Sequence, residues 1–98
     1  MNTKRKEQKI RNIAKIYLNS ISPKNNNYSI TKNQKILSFQ TAVELAYSSL
    51  SAPLQKIINN DFFYQDYPGW WKLIYKKNNY HKLRLLAIES FLEAFYEI

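Results

Sequence analysis

The sequence predicts an all-α domain, a small bundle of about five helices. Three observations lead there. Apolar residues recur at spacings of three and four through most of the chain. No stretch sustains the alternation of a half-buried strand, and no Asn-Gly or Asp-Gly pair marks a hairpin. The composition supplies a core: 98 residues, 45% hydrophobic and 15% aromatic, enough for one small domain and too apolar for global disorder.

The first helix is predicted over residues 3–20, where Ile10, Ile13, Ala14, Tyr17 and Leu18 form one stripe and Lys4, Lys6, Arg11 and Lys15 lie mostly off it. Thr3 can cap it, although Lys6 rather than a glutamate follows three residues on, so no capping box forms. Ser22-Pro23 and the run Asn25-Asn26-Asn27 mark the clearest break. The chain therefore divides into a basic N-terminal helix (1–22), a polar linker (23–35) and a helical domain (36–98).

A second helix is expected from about Ser38 to Leu50, on Phe39, Ala42, Val43, Ala46, Tyr47 and Leu50. Ser51-Ala52-Pro53 restarts the chain: Ser51 can accept from unpaired amides, and proline is tolerated where no amide partner is needed. Leu54, Ile57, Ile58 and Phe62 define a third helix ending near Phe63. A fourth opens at Asp66-Tyr67-Pro68-Gly69, carries Trp70, Trp71, Ile74 and Tyr75, and stops at Asn78-Asn79. Adjacent on a helix, the two tryptophans point about 100° apart and cannot share one core. One belongs to the core, and the other packs under a neighbouring helix or lies on a contact surface. The last helix, from about Asn79 to Tyr96, is apolar around half its circumference and must be covered on two sides.

Charge adds function to this outline. The net charge is +8, which points to a polyanionic partner. Lys, Asn, Ile and Tyr make up 42 residues, the bias that AT-rich coding produces, so clustering carries more weight than the total. Residues 1–35 hold nine basic side chains and one acid, whereas 36–98 hold six of each. Within that neutral part, Lys72, Lys76, Lys77, Lys82 and Arg84 cluster without an acid, and Glu89, Glu93 and Glu97 follow on the last helix. Two helices joined by a polar turn, the second beginning with Asn, His, Lys and Arg, is the pattern of a DNA-reading helix-turn-helix.

The order of residues then becomes familiar. The helix at 39–50, Leu50-Ser51-Ala52-Pro53, Ile57-Ile58, Tyr67-Pro68-Gly69-Trp70-Trp71, Tyr80-His81-Lys82-Leu83-Arg84-Leu85-Leu86-Ala87 and Phe91-Leu92 together resemble region 4 of bacterial sigma factors. The likeness is greatest to phage-type ArpU-like transcriptional regulators, and it covers roughly residues 36–95. Leu85 and Leu86 stand where the family commonly has basic side chains. The resemblance implies a transcriptional regulator whose last helix enters the major groove while the preceding one crosses the backbone. By position, Asn78, Asn79, His81, Lys82 and Arg84 would face DNA, with Lys72, Lys76 and Lys77 near phosphates. The chemistry fits, since Asn can pair with adenine, Arg with guanine, and lysines release counterions.

Other classes are disfavoured. There is no cysteine, and Lys77 and Leu85 flank the single histidine, His81, at four residues, so no metal or cofactor is expected. One glycine cannot build a phosphate-cradling loop, and no nucleophile–base pair stands out, so no enzyme is expected. Asp61 and Asp66 read as cap and turn residues rather than paired carboxylates. No apolar run can span a membrane and no secretory leader is recognised, which makes the cytoplasm the expected compartment.

Double-stranded DNA is thus the expected partner. RNA polymerase follows as a second one through the resemblance, and a helical protein-interaction module is the competing reading. RNA binding by the basic first helix is a third. A module this small reads few base pairs, which makes a homodimer through the first or last helix a further expectation. The acidic row on the last helix offers the first helix another role: docking Lys9, Arg11 or Lys15 against the acids.

Overall fold

The computed structural model describes residues 3–22 and 34–97. Among them are four α-helices, α1 (Thr3–Ile21), α2 (Gln34–Ser48), α3 (Ala52–Ile58) and α4 (Lys77–Glu97), and a π-helical turn (Asn59–Phe63) that continues α3. There is no strand among the described residues, so the all-α class holds with one α-helix fewer than the sequence suggests. The polar linker expected at 23–35 lies outside the described residues except for Gln34 and Lys35, which belong to α2.

The apolar stripes of all four helices meet in one core. Ile10, Ile13 and Ala14 come from α1; Val43 and Ala46 from α2; Leu54, Ile57 and Ile58 from α3; Ala87, Ile88, Phe91 and Leu92 from α4. α4 packs against α1, α2 and α3. That arrangement is why its apolar surface had to be so wide, and Phe91, at its middle, is completely buried. Edge-on contacts from Phe63 to Tyr17 and Phe91, at 5.8 and 6.0 Å between centroids, tie α1 to α4 through the π turn.

The basic first helix lies on α4. Lys6 Nζ reaches Glu89 at 2.8 Å, and Lys9 lies 5.7 Å from the Tyr96 ring in a cleft shared with Glu93 and Glu97. α1 therefore meets the acidic row, but the ion pair is made by Lys6 and not by Lys9, Arg11 or Lys15. Arg11 turns elsewhere, onto Phe62 at 5.2 Å.

Two local expectations are corrected. Ser51 sits at the N-cap of α3, but its side chain makes no capping bond; its carbonyl accepts from Gln55 at 2.9 Å. The larger correction concerns the fourth helix. Residues 68–75 form successive turns, closed by Trp70 N–H to Tyr67 O, Lys72 N–H to Gly69 O and Ile74 N–H to Trp71 O. These are bonds to the third residue back, and Tyr75 N–H adds one to the fourth, Trp71 O, at 2.8 Å. Gly69 adopts φ of +81°, a left-handed conformation that interrupts a right-handed helix. Asn78 and Asn79 do not stop a helix; they occupy the first turn of α4, whose first bond runs from Tyr80 N–H to Lys76 O at 2.8 Å. Hence α3 with its π turn connects to α4 through residues 64–76, in place of a tight turn at Asn78-Asn79.

Candidate nucleic-acid interface

The connection 64–76 carries two of the five basic residues of the cluster, Lys72 and Lys76, and what holds it in place is the π turn. Widening the helix at Asn59–Phe63 lets Tyr64 N–H bond Asn59 O at 2.9 Å and Asp66 N–H bond Asn60 O at 2.8 Å. Phe62 and Phe63 stay buried, while Asp61 is turned towards the connection and α4.

Asp61 is the hub. Its carboxylate accepts from Trp70 Nε1 at 2.8 Å, from the Tyr80 hydroxyl, and from Arg84 Nε at 2.9 Å. Arg84 also donates through its terminal nitrogen to Glu7 of α1. Its guanidinium lies 4.9 Å from the Phe62 ring, and Arg11 approaches the same ring. One network thus links α1, the π turn, the connection and α4. Burial would push the Arg84 guanidinium's pKa down, but its bonds to Glu7 and Asp61 outweigh that and raise it. Burial, and then the bond to Asp61, holds the Tyr80 phenol well above its ordinary value.

The tryptophans pin the connection from both sides. Trp70 is buried, with its N–H on Asp61. Trp71 stacks on Tyr80, at 4.2 Å between centroids and 6° between planes. Both rings therefore serve the fold, one as core and the other packed against α4. Beyond them the chain turns outward: Leu73 is 95% exposed and Ile74 is 54% exposed.

Seven of the eight expected DNA-facing residues lie exposed around the start of α4: Lys72, Lys76, Lys77, Asn78, Asn79, His81 and Lys82. Their proximity is local in origin, since the connection delivers its lysines directly into the helix start. Arg84 is placed otherwise. Its side chain is 19% exposed and its donors are engaged by two carboxylates, so it is held inside the fold. The sequence reading missed Asp61 and Glu7 as its partners. The one local sign was Tyr80 and Arg84 four residues apart, on the same helical face as buried Ala87 and Phe91.

The positive end of the α4 dipole coincides with this exposed set, and no acid occurs between Tyr67 and Ile88. Glu89, Glu93 and Glu97 confine the cationic surface to the first turns of the helix. Among the described residues no helix is long and apolar enough to cross a membrane. No family model, curated protein or solved structure matches the chain.

Proposed function

We propose that this protein is a DNA-binding transcriptional regulator that places the first turns of α4 in the major groove. The observation that carries this reading is the exposed set Lys72, Lys76, Lys77, Asn78, Asn79, His81 and Lys82 at a helix N-terminus, in a stretch without acids. Recognition helices contact base edges through their N-terminal residues, and lysines beside them meet phosphates. Asn78, Asn79 and His81 supply hydrogen bonds to bases, while Lys82 and the connection's lysines supply the electrostatic part. Arg84 acts as a positioning residue, holding α4 against Asp61 and Glu7. The resemblance to sigma region 4 supports the same assignment of elements.

A second reading draws on Leu73 and Ile74, neighbours in the connection that are 95% and 54% exposed. An apolar tip rimmed by lysines also suits a protein surface, with RNA polymerase as the partner the resemblance implies.

Amide chemical-shift mapping with a short duplex separates the two. On the first reading, the largest changes fall on residues 76–82 and extend to Lys72. Changes absent from that stretch, or a duplex without effect, would reject it.

A further inference from the structure

Away from the basic end, α1, α2 and the π turn enclose a cleft of about 250 Å³. Four aromatic side chains line it, Tyr17, Tyr47, Phe63 and Tyr64, and Glu44 completes the wall. The Tyr17 and Phe63 rings meet edge to face, 72° between planes, along its lining. Tyr64 is 64% exposed and leaves the cleft accessible.

We infer that this cleft is a binding site for a small organic cation, a methylated ammonium group. Aromatic faces carry the negative end of the ring quadrupole and attract such cations, which shed their water more readily than a bare ammonium. The carboxylate gives the same sign of preference. Glu44 Oε2 accepts from the Tyr17 hydroxyl at 2.8 Å, and the carboxylate is not part of the ion pairs Lys6–Glu89, Arg84–Glu7 and Arg84–Asp61. That phenol is pushed up to about 12, first by burial and then by the bond to Glu44, so it stays protonated as a donor and does not add a competing charge.

In a chain of net charge +8, an acid beside aromatic walls is a local preference for a cation. The volume is just below the range of about 300–1,000 Å³ usual for ligand pockets, which suits a head group better than an extended molecule. This inference is independent of the DNA reading.

The test is an amide-shift titration of the full chain with choline, alongside its uncharged isostere 3,3-dimethylbutan-1-ol. Choline is expected to move resonances at 17, 43–48 and 59–64, and the isostere to bind more weakly by about fivefold or more. Glu44→Gln should weaken choline by a similar factor. Tyr64→Ala, at an exposed position that leaves the core untouched, should do the same. A peptide bearing trimethyl-lysine distinguishes the source of the group: tighter binding than choline points to a methylated protein side chain, equal or weaker binding to a free small molecule. No shifts up to about 10 mM choline, equal binding of the isostere, or unchanged affinity in Glu44→Gln would overturn the proposal.

Discussion

Asp61→Ala should lower the melting temperature by roughly 15 °C, from a loss of about 3 kcal/mol in a domain of this size. The substitution removes the acceptor shared by Trp70 Nε1, the Tyr80 hydroxyl and Arg84 Nε. Hydrogen bonds to a charged group are each worth about 1.5–3 kcal/mol, though three on one carboxylate do not add in full. Arg84 would keep only Glu7, with its side chain still 19% exposed and therefore short of water. Asp61→Asn, which keeps an acceptor but loses the charge, should cost about half as much. Thermal unfolding followed by circular dichroism measures both. An unchanged transition for Asp61→Ala would mean that the connection 64–76 is held by ring packing alone.

The second large effect concerns binding. Replacing Lys76, Lys77 and Lys82 together by alanine should weaken duplex affinity roughly 100-fold at about 0.1 M salt. The slope of log affinity against log salt should shrink by about 2 to 3, near one for each phosphate that is no longer neutralised. All three side chains are exposed and none takes part in the Asp61 network, so stability should hardly change. Fluorescence anisotropy across a salt series reads affinity and slope together. Wild-type affinity in the triple variant would remove the start of α4 from the interface. A comparable loss in Arg84→Ala alone would have to be judged against its stability, because that residue holds the fold together.

The features behind these two effects were disclosed unequally by the sequence. α1 and α4 were legible because their apolar stripes repeat over many turns, and the width of the α4 stripe announced a central helix. α2 was legible in its second half, where Val43 and Ala46 are buried, and less so at its start, where Leu37 is exposed and the apolar pattern is diluted by Lys35 and Ser38.

Residues 68–75 misled for a physical reason. Trp70, Trp71, Ile74 and Tyr75 are spaced as on a helix, but Gly69 at φ +81° and two rings drawn to Asp61 and Tyr80 set a different backbone. Asn78-Asn79 looked like a stop because asparagine competes for backbone bonds within helices, yet the same property suits the first turn, where amides have no intrahelical partner. The exposed candidate residues were legible as a charge cluster. The role of Arg84 was not, since its partners lie 23 and 77 residues away in sequence.

Electrostatic binding of duplex DNA by the intact protein is the central claim. It is tested by titrating a fluorescent random-sequence duplex at two salt concentrations, with an unlabelled single-stranded competitor present. Micromolar binding that falls steeply with salt and resists the competitor is the predicted result. No binding at low salt, or binding abolished by the single strand, would contradict it and turn the exposed Leu73 tip into the surface to explain.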